Sequence, residues 1–217
     1  MSLSDIWLFV QQGVLSGIVT GSVYALLAVA IVMVFKTTDV PNFSQGEIFM
    51  AGGYAALFPL VVWGWPYWAA VLASIVVTAL LAAAFQRVVM QRVTASRGVG
   101  VQLVIATLGF AYLLKGLVRK TGLGDTPRSL PSLVPQDPIM IGQASLTLLD
   151  LAIFGSAVVV MVLLYLMFTR TRTGQAMRAV GMNPRGAQIV GVKLGTIRMK
   201  IWALTGVISA ISALLIT

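Results

Sequence analysis

Long apolar runs alternate with short polar breaks along nearly the whole chain, and the length of each run is what decides its fate. Residues 6–35 hold no charged side chain. As one helix that stretch is about 45 Å long against a hydrocarbon core of about 30 Å, so it must tilt, protrude or break. Apolar runs over 47–63, 67–85, 99–118 and 144–168 follow, and another begins at Ile201. The pattern predicts an all-α, polytopic transmembrane helical bundle of about six spans, forming one domain over residues 1–217. Gly64, Trp65 and Pro66 make a tight turn, with Trp63, Trp65 and Trp68 where aromatic side chains gather at a membrane surface. After the fourth run the chain is polar as far as Gln143 and holds Pro127, Pro131, Pro135 and Pro138, which predicts an extended loop outside the membrane.

Charge gives the bundle a direction. The chain carries 15 basic and 6 acidic residues, a net charge of +9, in a sequence that is 59% hydrophobic with a mean hydropathy of +0.96. Because the cations sit in breaks beside apolar runs, they argue for orientation in a bilayer and against a nucleic-acid partner. Alternate sides place Lys36, Arg87, Arg92, Arg97 and the seven basic residues of 170–200 together, leaving Lys115, Arg119, Lys120 and Arg128 opposite. The richer side is read as cytoplasmic. The N-terminus then lies outside, unless a break in the first run reverses that end. MSLSDIW has no basic n-region or small-residue cleavage site, so no removable signal peptide is expected.

Two polar segments have grammar of their own. In 170–200, Thr173 is placed to cap a helix over 174–180 with Gly181 as its stop. Asn183 and Pro184 then form the cap and first position of a second helix ending near Gly191. A solvated loop that only orients the protein accounts for the charge. The small and apolar residues Ala179, Ala187, Ile189, Val190 and Gly191 instead suggest a face that docks on a cytoplasmic partner. In VPNFSQGE, Ser44 and Glu47 spell a capping box, and Phe43 with Ile48 a hydrophobic staple, at the start of the second span. A helix start buried there would also suit a substrate carboxylate. Gly13, Gly17 and Gly21 share one helix face that admits a close neighbour, and packing within the chain is preferred to a subunit interface.

The same segments carry a family resemblance. The loop matches R-x-G-x-A-x-R-A followed by N-P-x-A-A-x-x-x-G through Arg172, Gly174, Ala176, Arg178, Ala179, Asn183, Pro184, Ala187 and Gly191, and departs from it at Arg185 and Gly186. Asn42, Phe43, Ser44, Gly46 and Glu47 match N-F-[AS]-x-G-E, with Gln45 where histidine is more usual. The chain thereby resembles, over essentially its whole length, the inner-membrane permease subunits of ABC importers for branched-chain amino acids. The resemblance implies that 170–200 couples to ATPase subunits and that Asn42 to Glu47 belong to the family motif and a possible pathway. It implies a second permease subunit as homo- or heterodimer, two cytoplasmic ATPases that use ATP and Mg, and a periplasmic or extracellular substrate-binding protein. The location it implies is the inner (plasma) membrane of a bacterium. Urea, short amides and aromatic acids are carried by related permeases and stay open as substrates.

Chemistry of the chain's own is scarce. With no cysteine or histidine, disulfides, thiolate or imidazole metal sites and histidine catalysis are excluded. No G-x-x-x-x-G-K-[ST] occurs, so no ATPase site and no bound cofactor are expected in this chain. Acids within the spans are few, which disfavours a secondary transporter or channel running on a carboxylate relay. No paired carboxylates support an intramembrane enzyme. The last apolar run ends at Thr217 whereas members of the resembled family continue with further spans, so a C-terminal truncation is expected.

Overall fold

The structure is a computed structural model and describes residues 3–95, 100–122, 138–141 and 144–216. Among these, α1 (Leu3–Thr38), α2 (Gln45–Val62) and α3 (Tyr67–Phe85) come first. A π-helical turn (Gln86–Met90) carries α3 into α4 (Gln91–Ala95), and α5 (Gly100–Lys120) follows. Strands β1 (Pro138–Ile141) and β2 (Ala144–Thr147) lead into α6 (Leu148–Arg170), α7 (Arg172–Met182), α8 (Pro184–Ile189) and α9 (Leu194–Ile216). Six helices are long and apolar enough to cross a membrane, from α1, α2, the α3–α4 unit, α5, α6 and α9. The expected helical bundle is therefore present.

Its boundaries differ in instructive ways. The first run does not break: α1 is one helix of 36 residues, about 54 Å. Arg87 and Arg92 lie on helical turns rather than in a loop, since no glycine or proline stops the helix after Phe85. The fifth span starts at Leu148 because Ala144–Thr147 pairs antiparallel with Pro138–Ile141, a hairpin that alternation over four residues does not announce. Thr147 Oγ1 accepts from the Asp150 N–H at 3.1 Å, and Asp150 Oδ2 accepts from the Thr147 N–H at 2.9 Å, a reciprocal cap that starts α6. The sixth span starts at Leu194, ahead of the first uninterrupted apolar residues, because Ile197 and Ile201 are buried while Lys200 keeps its ammonium exposed. Pro127, Pro131 and Pro135 lie outside the described residues.

Tertiary bonds sort the two ends. Arg198 Nε donates to Thr37 O at 3.1 Å, and Gly195 lies against the Gln91 side chain, so the end of α1 and the starts of α4 and α9 meet at one basic end. At the other, Gln12 exchanges two 3.0 Å hydrogen bonds with the backbone of Ser145. The start of α1 thus lies opposite the cations, as counting alternate sides requires.

Between helices in lipid, attraction comes from close packing rather than from excluding water. The α2–α3–α9 core shows how close. A Cβ on Gly52 would stand 2.8 Å from Ala210 Cα, and one on Gly206 2.5 Å from Thr78 O. Nearby, Phe85 stacks on Phe110 at 3.9 Å and lies 5.4 Å from the buried Trp202. Gly13, Gly17 and Gly21 take no part: all three are exposed and a Cβ on any would meet nothing within 4 Å. The expectation that they pack within the chain is corrected, because α1 is buried through Val23, Leu26, Ala30 and Val34 on its other face.

Candidate functional site

The first candidate begins where α1 ends. Thr37 is held at the basic end by Arg198, yet Gln45 Nε2 donates to Ser209 Oγ at 2.6 Å. Ser209 stands 15 residues beyond Leu194, about 22 Å along α9. Residues 39–44 therefore climb into the bundle before α2 starts. The climb begins at Asp39, whose φ of 55° lies in the left-handed region that aspartate tolerates. Non-helical backbone at that depth must be enclosed by protein. Val40, Asn42, Ser44 and Gln45 are indeed buried, while Phe43 and Gly46 are exposed.

The side chains here do not make the expected capping box. Ser44 has φ −88° and ψ 7°, outside the extended geometry of a cap, and its hydroxyl donates to Asn42 Oδ1 at 2.6 Å. Asn42 is the organiser instead: Oδ1 also accepts from the Ser44 N–H at 3.1 Å and Nδ2 donates to Gln45 Oε1 at 3.1 Å. Glu47, released from capping, pairs with Lys115 of α5, Nζ to Oε1 at 3.0 Å. Gln45, Lys115 and Ser209 are the residues that sequence reasoning missed, since their partners are far away in the chain.

The second candidate is the α7–α8 hairpin at the basic end. Its start is two residues earlier than expected: Thr171, not Thr173, caps α7, its Oγ1 accepting from the Gly174 N–H at 3.0 Å. Gly181 does not stop α7, which runs to Met182. Asn183 caps α8 as expected, Oδ1 accepting from the Gly186 N–H at 2.9 Å with Pro184 in the first turn. Gly191, with φ +88°, closes α8. Its N–H donates to Gln188 O and that of Val192 to Ala187 O, both at 2.9 Å, the two bonds of a Schellman end.

These contacts change what the small residues mean. Gly174 lies so close to Met167 O and Phe168 Cα that no Cβ fits. Ala187 is 4% exposed in a core with Met177, Val180 and Ile197. Both are small, like Gly191, for reasons inside this chain, so the expectation that a partner surface explains Ala187 and Gly191 is corrected. What stays uncovered is Met182 at 88%, Ile189 at 86% and Val190 at 78% exposure, with Ala179, Arg172, Arg178, Arg185 and Lys193 also exposed.

Fold and segments together define a polytopic helical membrane protein with a capped helical hairpin at its basic end. A family model described as the branched-chain amino acid transport system / permease component matches residues 13–217, and the chain belongs to that family. It is 26% identical to the high-affinity branched-chain amino acid transport system permease protein BraD of Pseudomonas aeruginosa, over 99% of this chain and 72% of that one. It is 28% identical to the probable branched-chain amino acid transport permease protein LivH of Methanocaldococcus jannaschii, over 93% of this chain and 65% of that one. With the high-affinity branched-chain amino acid permease LivH of Escherichia coli K12 it shares 28% identity over 97% of this chain and 70% of that one. No solved structure matches it.

Proposed function

We propose that this chain is a permease subunit forming half of the translocation pathway of an ATP-driven importer for branched-chain or related amino acids in a bacterial inner membrane. The observation that carries the reading is the exposure of Met182, Ile189 and Val190 on a hairpin whose fold is accounted for by its own caps. Apolar side chains left uncovered on the basic, cytoplasmic side suit a groove in a soluble partner. That partner is an ATPase subunit, which supplies the ATP and Mg chemistry for which this sequence has no phosphate-binding loop. The assembly holds a second permease subunit, two such ATPases and a periplasmic or extracellular substrate-binding protein. The names of the relatives support the amino-acid substrate.

Ile189→Asp and Val190→Asp test it, since both positions are exposed and neither supports the hairpin. We expect normal insertion and melting temperature, with co-purification of the ATPases and leucine uptake falling together. Uptake at the wild-type rate by both variants would sink the docking reading.

A further inference from the structure

We infer that the space between α2, α3 and α5 is a binding site for a free α-amino acid with an aliphatic side chain, its charged ends held by Glu47 and Lys115. The inference rests on the amino-acid permease reading for its place in transport; the ligand chemistry comes from the apolar cavity and the ion pair beside it. About 360 Å³ in volume, it is walled by apolar groups including Ala51, Tyr54, Phe58, Val77 and Val118, with Trp63 toward the end away from the basic cluster. Such a volume suits a small metabolite and such walls an aliphatic side chain.

The charges lie between α2 and α5, one helical turn beyond the residues that line it. Glu47 is four residues before Ala51 on α2, and Lys115 three before Val118 on α5, spacings that put each on the cavity's side of its helix one turn deeper. Their 3.0 Å pair is the one ion pair among the described residues, with Lys115 also 5.9 Å from the Tyr112 ring. Charge this far into a span is costly and marks a ligand pathway more often than a scaffold. Glu47 is not used as a side-chain cap, because Asn42 organises the start of α2, so its carboxylate is left to Lys115. The Glu47 side chain is 16% exposed and that of Lys115 55%, so the carboxylate is largely enclosed while the ammonium has open space beside it. A zwitterion entering from the Trp63 end exchanges one ion pair for two: its carboxylate accepts from Lys115 and its ammonium donates to Glu47. Every charge keeps a partner and net charge is unchanged, which removes the main penalty of binding there. The side chain then lies on the apolar walls.

The test uses the full chain in phosphatidylcholine nanodiscs with radiolabelled leucine, read by scintillation proximity. We expect saturable binding, with isocaproate, which lacks the ammonium, and isoamylamine, which lacks the carboxylate, competing about tenfold or more less well. Lys115→Gln and Glu47→Gln should each weaken leucine by a similar factor, and Ala55→Phe should weaken it by filling the cavity with the ion pair intact. The exchange Glu47→Lys with Lys115→Glu restores the pair and should recover binding to within a few-fold, which separates loss of the site from loss of the fold. Equal leucine binding by wild type and Lys115→Gln would overturn the site, as would displacement of leucine by added phosphatidylethanolamine but not by isoleucine, which would make it a lipid site. ATP-dependent uptake by the assembled transporter is scored separately. If wild type imports leucine and Ala55→Phe binds it unchanged, only this inference fails; if wild type binds leucine yet ATP drives no uptake, only the importer reading fails.

Discussion

Arg198 belongs by composition with the cations that orient the chain, but the structure gives it a second task. The last carbonyls of a helix have no partner within it, and Arg198 Nε reaches across from α9 to Thr37 O near the end of α1. Arg198→Met should remove a hydrogen bond from a charged donor, costing about 1.5–3 kcal/mol, and lower the melting temperature in detergent. Lys200→Met, at an exposed position, is the control and should be silent. Identical melting of the two variants would show that the bond contributes nothing. A charge count cannot separate these residues, because the difference lies in a partner on another helix. The polar motif at the start of α2 has the same lesson. Ser44 and Glu47 spell a cap, yet their side chains go to Asn42 and Lys115; Thr147 and Asp150 spell the same cap near β2 and make it. Local grammar is reliable where solvent is the competing partner and unreliable where a buried neighbour is.

Among elements, the spans are legible because the bilayer sets their length, whereas their ends are set by packing and by neighbours. Hence α6 starts late, behind a hairpin, and α9 starts early, on buried Ile197. The α7–α8 hairpin was legible from Asn183, Pro184 and Gly191, whose roles are local. The face that Ala187 presents was not, since burial against Met177 and Val180 depends on how the hairpin folds back. Two outcomes follow for the isolated chain, with no partner present. Ala187→Glu should open the hairpin itself, an unpaired buried charge costing several kcal/mol, and speed limited proteolysis between α6 and α9. Gly191→Ala should do so more weakly, by about 1–2 kcal/mol, because alanine resists the left-handed conformation. Ile189→Asp should leave the digestion pattern unchanged. Protection of Ala187→Glu equal to wild type would mean that α8 is not seated where the structure puts it.

Across the whole molecule, the positive charges collect where the ends of α1 and α6 and the start of α4 meet α7, α8 and the start of α9, which supports reading that end as cytoplasmic. Lys115, Arg119 and Lys120 stand against the bias, and the structure accounts for them without reversing it. Lys115 is paired with Glu47, and Arg119 and Lys120 occupy the last turn of α5. There the carbonyl end of the helix dipole attracts cations whichever way the span runs. With this local cause removed from the tally, the remaining bias is stronger than the sequence count implied. Because the chain has no cysteine of its own, single cysteines report cleanly on sidedness. Replacements at Arg92, Arg185 and Lys120 should insert normally, since 14 of 15 basic residues remain in each. A membrane-impermeant thiol reagent added to intact cells should label only Lys120→Cys, and added to inverted vesicles only Arg92→Cys and Arg185→Cys. Labelling of Arg185→Cys and Lys120→Cys from the same side would break the topology, and with it the placement of the hairpin against a cytoplasmic ATPase. Labelling of all three from the sides opposite to those expected would keep the fold but put Met182, Ile189 and Val190 outside the cell, where no ATP-hydrolysing partner is available to them.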